Sequence, residues 1–173
     1  MKSLAQLQVL VVDDNTQMRF LLRELLRAGG VRSVHDVPTA DEAIALMRVR
    51  DIDIVTVDWC MQPVDGISFT NRVRMSPDSP NPYASIVMIS AHSERSRVAG
   101  ARDAGVNGFL VKPISARLLF DRIAAALADT RPFVRSLTYF GPDRRYAQAA
   151  SYLGPFRRAS DREFGETLLL DAV

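Results

Sequence analysis

The chain has 173 residues, is 47% hydrophobic and 24% charged, and carries a formal net charge of +2, which suits one well-packed soluble domain with a short appendage. A single cysteine, Cys60, rules out an internal disulfide and points to a reducing, cytoplasmic setting. No apolar run approaches the ~18 residues of a membrane span, and the opening residues 1–8 are too polar for a signal peptide.

Leu7–Val12 is short, apolar and rich in valine, which predicts a buried strand ending on Asp13 and Asp14. Asn15 is placed to cap a helix over Thr16–Ala28, with Met18, Leu21, Leu22, Leu25 and Leu26 as its apolar stripe and Gly29-Gly30 as its stop. Ser33–Val37 reads as a second strand, and Pro38-Thr39 opens a second helix that carries Ala43, Ile44 and Met47 inward. The third strand, Ile52–Val57, ends on Asp58, and Asp65-Gly66 supplies turn chemistry before a third helix with Ile67, Phe69, Thr70 and Val73 inward. Three prolines make the segment from Met75 to Pro82 a loop.

Ile86–Ile89 is the fourth strand, followed by Ser90-Ala91, and a fourth helix runs from Ser93-Glu94 to Gly105. Gly108–Val111 is a brief fifth strand ending on Lys112-Pro113, and Ser115 caps a fifth helix to about Asp129, with Leu118, Leu119, Ile123, Ala126 and Leu127 inward. Strands alternating with helices in this way predict an α/β fold: a five-stranded parallel, doubly wound sheet covered on both faces.

In such a sheet every strand points the same way, so Asp13, Asp14, Asp58, Ser90 and Lys112 converge on the rim at the carboxyl ends of the strands. Carboxylates held close repel, and a hard cation such as Mg²⁺ relieves the repulsion while keeping several waters. A phosphoryl group on Asp58 would find its countercharge in Lys112 and a hydrogen bond in Ser90.

The ordered set Asp13-Asp14, Asp58, Ser90-Ala91 and Lys112-Pro113 resembles the receiver domain of two-component response regulators over residues 5–129. The resemblance implies a flavodoxin-like, CheY-like strand order of 2-1-3-4-5 and a signalling domain rather than an enzyme. It implies Asp58 as acceptor of a phosphoryl group from a histidine kinase, and Mg²⁺ held by Asp13, Asp14, Asp58 and the backbone carbonyl of Cys60. It further implies Ser90 and Lys112 at the phosphoryl oxygens. Phe109 matches the switch aromatic, whose movement would reshape the face made by the fourth helix, fifth strand and fifth helix. The family usually has proline four residues after the acceptor; here Gln62 stands there and Pro63 follows. Trp59 is bulky beside the acceptor, and His92 reads as a solvated loop histidine.

Beyond Asp129 the amphipathic patterns stop, and Arg131-Pro132 breaks the helix. The expectation is a largely irregular tail, divided into an arginine-rich extension over residues 130–163 and an end over 164–173 that is either one helical turn or disordered. Residues 131–162 hold seven arginines and two aspartates, whereas the whole chain has two lysines, Lys2 and Lys112. The segment 139–145, Tyr-Phe-Gly-Pro-Asp-Arg-Arg, returns at 152–158 as Tyr-Leu-Gly-Pro-Phe-Arg-Arg. Gly-Pro is expected to fix a turn presenting the arginine pair. Arginine makes bidentate contacts to guanine or phosphate, and tyrosine stacks on bases.

Two copies of such a unit suit a ligand with two guanines and two phosphates. The tail resembles the extension of the CheY-like Cle regulators of alphaproteobacteria, which implies binding of cyclic di-GMP and then of the flagellar motor switch protein. The candidate contacts are Arg131, Arg135, Tyr139, Asp143, Arg144, Arg145, Tyr152, Arg157, Arg158 and Asp161, and Asp161 stands in for the aspartate that Phe156 replaces in the second copy. The expected mechanism is a tail without fixed structure until the ligand folds it, on a chain monomeric when unliganded. Three alternatives stay open: a disordered basic tail that binds any polyanion or caps the receiver surface, a single-stranded nucleic-acid binder, and a phosphorelay shuttle with an inert tail. Sequence-specific DNA binding and membrane insertion are not expected.

Overall fold

A computed structural model describes residues 2–144. Five parallel strands form one sheet: β1 (Gln8–Val12), β2 (Ser33–Val37), β3 (Ile54–Asp58), β4 (Ser85–Ser90) and β5 (Gly108–Val111), in the order β2-β1-β3-β4-β5. Between and after them run α1 (Thr16–Ala28), α2 (Ala40–Val49), α3 (Gly66–Met75), α4 (Arg95–Ala104) and α5 (Ala116–Leu127). The parallel, doubly wound sheet is the one expected from the alternation of patterns, and its strand order is the flavodoxin-like one that the receiver resemblance implies.

Period-two alternation divides the core into two layers. Leu10, Val12, Val55, Val57, Ile86 and Met88 face one side, with Ala43, Ile44, Phe69 and Val73 from α2 and α3. Val9, Val11, Ile54, Val87 and Ile89 face the other, with Leu22, Leu26, Leu119 and Ile123 from α1 and α5. The helix starts are capped as their sequences suggest: Asn15 accepts from Gln17 and Met18, Asp65 from Ser68, and Ser115 from Leu118. Two expected inward residues are exposed, Leu21 and Leu118. Each neighbours a leucine that already fills the face, Leu22 or Leu119, and successive residues lie about 100° apart around a helix.

The main addition to the sequence reading lies past Asp129. Residues 133–142 form an antiparallel hairpin of β6 (Phe133–Arg135) and β7 (Phe140–Pro142), so the first part of the tail has regular structure. Gly141-Pro142 lies within a strand and not in the expected turn. The hairpin packs on the rim opposite the strand ends that carry Asp13 and Asp58. Its anchor is Arg74 at the end of α3, 1% exposed.

Arg74 donates to the carbonyls of Gly105 (2.9 Å), Pro82 (2.7 Å) and Ala84 (2.8 Å) and to Asn107 Oδ1 (3.0 Å). Phe133 covers its guanidinium at 5.2 Å. Burial pushes the Arg74 pKa down to about 10, so the group is still cationic at neutral pH. Asn107 passes the network on, donating to Asp129 Oδ2 (3.1 Å), which Arg131 grips through Nε and Nη2 at 2.8 and 2.7 Å. Those hydrogen bonds outweigh the burial of the Asp129 carboxyl and hold its pKa below the ordinary range.

Two glycines let the hairpin seat. Gly105 ends α4 with φ +95, and a Cβ there would lie 2.9 Å from the Phe140 carbonyl oxygen. A Cβ on Gly141 would lie 2.9 Å from Gly105 Cα. Tyr83, Phe133 and Phe140 complete the contact, with ring centroids 5.1 to 5.5 Å apart.

Removing the Arg74 guanidinium strands three backbone carbonyls beneath the hairpin. Arg74→Met is expected to lower the unfolding free energy by about 3 kcal/mol. Arg74→Lys should rescue little, because an ammonium cannot span acceptors on four residues. Urea unfolding of the three proteins checks this, and a loss below about 1 kcal/mol would mean that the carbonyls find water instead.

Candidate functional site

The register of the sheet sets the polar rim. Val57 pairs with Val12 and Met88, so Asp13 and Asp58 emerge beside each other, and Ser90 pairs with Val111 so that Lys112 follows next to it. The Lys112 amide donates to the Ser90 carbonyl at 2.8 Å. Asp13, Asp58 and Ser90 are buried, whereas Asp14 is exposed.

Lys112 Nζ donates to Asp58 Oδ1 at 2.6 Å and lies 3.6 Å from Asp13 Oδ2. The Cys60 amide donates to Asp58 Oδ2 at 2.8 Å, so both acceptor oxygens are engaged. Burial pulls the Lys112 pKa down, but the Asp58 hydrogen bond and the charges of Asp58 and Asp13 outweigh it and hold Lys112 above its ordinary value.

Asp13 is the uncomfortable member. Its Oδ1 accepts from the Asn15 amide at 2.8 Å, but its buried Oδ2 has no hydrogen-bond partner. Burial first, and the neighbouring charge of Asp58 after it, push the Asp13 pKa up, against the pull of the Asn15 amide and Lys112. A buried, unpartnered carboxylate oxygen fits a cation.

Among the described residues no three His, Cys, Asp or Glu side chains are gathered into a metal cage. Lys112 occupies Asp58 Oδ1, and Asp14 Oδ2 accepts from the Gln62 amide at 3.1 Å. Mg²⁺ needs no such cage: it is commonly bound through one or two carboxylates with several waters kept. The donor set of Asp13, Asp14 and Asp58 therefore fits it.

Loop geometry around the acceptor follows from one close approach. A Cβ on Gly66 would lie 2.3 Å from the Asp58 carbonyl oxygen, so α3 can start here only with glycine. The Gly66 amide donates to the Trp59 carbonyl at 3.0 Å. Within that loop the Gln62–Pro63 peptide is cis, as is Lys112–Pro113.

Ser90 Oγ accepts from the His92 amide at 3.0 Å, which leaves its own O–H to donate. His92 is exposed, as expected, with Nδ1 3.9 Å from Glu94. Phe109 is half-buried and meets Trp59 edge-on, at 6.4 Å and 81°. Trp59 also lies under Arg97 of α4 at 5.1 Å.

The tail residues fare differently. Arg131 is committed to Asp129, so its guanidinium serves as an anchor and not as a free reader. Tyr139 is 5% exposed and its hydroxyl donates to the Pro142 carbonyl at 2.7 Å, so no base can stack on it as expected. Its place as platform is taken by an arginine: Arg144 lies over the Tyr139 ring at 4.1 Å and donates to Asp103 Oδ1 at 2.9 Å. Arg135 is exposed and stacks on Phe140 at 4.4 Å. Asp143 donates its amide to the Pro132 carbonyl. Arg145, Tyr152, Arg157, Arg158 and Asp161 lie outside the described residues. Missed altogether were Arg74, Asp103 and Asn107; only Arg74 left a trace, one turn beyond Thr70 on the inner stripe of α3.

Comparison with known proteins agrees with this rim. The response regulator receiver domain family matches residues 9–124. The chain belongs to that family. It is 31% identical over 117 residues to chemotaxis protein CheY-3 of Vibrio cholerae serotype O1, covering 68% of this chain and 88% of that one. It is 30% identical over 117 residues to chemotaxis protein CheY of Pseudomonas aeruginosa, covering 68% of this chain and 93% of that one. A solved structure of chemotaxis protein CheY4 of Vibrio cholerae superposes with a TM-score of 0.64 at 25% identity, over 69% of this chain and 98% of that one. Receiver domains are signalling domains, not enzymes, and the family match places the chain among the receivers of response regulators. The matched regions stop short of the arginine-rich tail.

Asp13→Asn keeps the acceptor for the Asn15 amide and removes the buried charge. In metal-free buffer at neutral pH it should raise stability by about 1 kcal/mol or more. Because the Asp13 pKa is raised in the folded state, its favourable contribution is present below the unfolded value and lost as pH rises through the folded one. The advantage of the variant should therefore shrink as pH falls toward the ordinary carboxylate range. Added MgCl₂ should raise the melting temperature of the wild type and leave that of the variant unmoved; thermal denaturation across pH and Mg²⁺ measures both.

Proposed function

We propose that the chain is a response-regulator receiver that accepts a phosphoryl group on Asp58 from a histidine kinase and reads cyclic di-GMP through its arginine-rich extension. The observation that carries the first half is the 2.6 Å contact of Lys112 Nζ with Asp58 Oδ1 beside the orphaned Asp13 oxygen. A carboxylate oxygen of Asp58 attacks the phosphorus of a phosphohistidine; the new O–P bond forms as the P–N bond breaks, and the electron pair returns to the imidazole nitrogen. Lys112, already at the acceptor, transfers its hydrogen bond to a phosphoryl oxygen, and the Ser90 hydroxyl donates to another. Asp13 and Asp14, with Asp58 and the Cys60 carbonyl, would hold Mg²⁺, which when bound would supply charge neutralisation for the transferred group.

The second half is supported by the doubled Tyr-x-Gly-Pro-x-Arg-Arg sequence and by Arg144, which is cationic, half-exposed and stacked on Tyr139. Residues 130–163 form the extension in this reading, and 5–129 the receiver. The flagellar motor switch is the proposed protein partner, in keeping with the chemotaxis proteins this chain resembles. With its first strands already in place, the extension needs less ordering on binding than a free tail would.

Labelled phosphate should pass from a phosphorylated kinase to the wild type in the presence of Mg²⁺ and not to Asp58→Asn; equal labelling of both removes Asp58 from the role. In calorimetric titration the full chain should bind cyclic di-GMP at micromolar concentration or tighter. The double variant Arg144→Ala/Arg145→Ala should lose at least tenfold, and cyclic di-AMP and GTP should give no heat. Binding that any nucleic acid displaces and that falls steeply with salt would point instead to a general polyanion tail.

A further inference from the structure

Asp103 of the receiver pairs with the first arginine of the motif. Asp103, on the last turn of α4, accepts from Arg144 Nη1 at 2.9 Å through Oδ1, and the same oxygen accepts from Arg102 Nε at 3.1 Å. Partial burial works to raise the Asp103 pKa, but Arg144 and Arg102 outweigh it and hold the carboxyl below the ordinary range. The opposite side of Arg144 rests on Tyr139, which is fixed in turn by its hydrogen bond to Pro142 and by burial. An otherwise floppy guanidinium is thus fixed by a carboxylate on one edge and an aromatic ring on one face.

We propose that Asp103 is a positioning residue of the ligand site in the extension, presenting Arg144 to a guanine edge; this rests on the cyclic di-GMP reading above. The donor count permits it. Arg144 has five N–H donors and Asp103 takes one, so the two parallel donors that guanine O6 and N7 require remain. Side-chain ordering otherwise lost on binding is already in place, which is the usual source of gain from preorganisation. Asp103 also sets the class of ligand. A bare phosphate would compete with its carboxylate for the same charge, whereas a neutral base edge does not. The site therefore favours a guanine base over a simple phosphate, and α4 of the receiver contributes to it along with the tail.

Calorimetric titration of the full chain with cyclic di-GMP and with inorganic pyrophosphate tests this on the wild type, Asp103→Asn, Asp103→Lys and Asp103→Glu. The expected loss of cyclic di-GMP affinity for Asp103→Asn is about two- to fivefold, the scale of one exposed ion pair. Asp103→Lys should lose more, since it repels Arg144, and Asp103→Glu should recover most of the wild-type value. Pyrophosphate should bind no more weakly to Asp103→Lys than to the wild type, a split that general unfolding would not produce. Cyclic di-GMP affinity that is unchanged or higher in Asp103→Asn and Asp103→Lys overturns the inference and makes Asp103 a competitor for Arg144. A wild type that gives no heat with cyclic di-GMP overturns the ligand reading, and the inference with it.

Discussion

Five parallel strands give a sheet two chemically different rims, and most of this molecule follows from that constraint. At the carboxyl ends, β1, β3, β4 and β5 deliver Asp13, Asp58, Ser90 and Lys112 to one place. Two buried carboxylates there are tolerable only because Lys112 faces both. At the amino ends the problem is reversed: loops entering β4 and β5 bring buried carbonyls that lack strand partners. Arg74 answers it from the end of α3, satisfying Gly105, Pro82 and Ala84 without any carboxylate of its own. A cation buried that deeply needs a cover, and Phe133 of the hairpin provides one. The tail is therefore fastened where the sheet most needs closing, roughly 17 Å from the acceptor by the rise of a five-residue parallel strand.

The fold and the acceptor rim were legible because their signals are local and periodic. Alternating valines and isoleucines marked the strands, Asn15, Asp65 and Ser115 marked helix starts, and each catalytic-type residue followed directly on a strand. The start of the tail was not legible, for a definite reason. A three-residue strand such as Phe133–Arg135 has no room for a period, and Tyr139 and Phe140 are adjacent yet both buried, one within the hairpin and one against Tyr83. Their partners lie far off in sequence, at 74, 83 and 105, so no window of the chain displays the contact. Tyr139 and Arg131 carried the right residue types for a ligand and were assigned to one; the structure gives both to the anchoring of the hairpin. An arginine–aromatic composition serves anchoring and recognition equally well, and only position separates them.

The anchoring role of the first motif copy can be followed residue by residue. Gly141 lets the hairpin approach Gly105, Pro142 offers the carbonyl that fixes the Tyr139 hydroxyl, and Tyr139 then supports Arg144. Pro142 thus holds Tyr139 and Tyr139 holds Arg144, so this support ends at a guanidinium near the surface. In this arrangement the aromatic and the glycine of the motif serve to seat the hairpin and support Arg144. Loss of Tyr139 would release the arginine as surely as loss of Asp103, but with a cost to the hairpin that Asp103, on the surface of α4, does not share.

One element reaches both rims. The start of α4 meets Trp59, the neighbour of the acceptor, through Arg97 and Gly100, and its last turn carries Asp103 to Arg144. A helix of ten residues is stiff on this scale, about 15 Å end to end, so a shift of its first turn is felt at its last. Any coupling between acceptor and tail that uses this route is reciprocal and is limited by the contact it works through. An exposed ion pair is worth about 1 kcal/mol at most, or about fivefold in affinity. Coupling through Asp103 alone is therefore too weak to act as a switch. A larger effect would have to move the hairpin itself, and the hairpin is held to Arg74, Asn107 and Asp129 at the far rim, away from the end of α4 that touches Trp59. The architecture separates the acceptor rim from the tail more than it joins them.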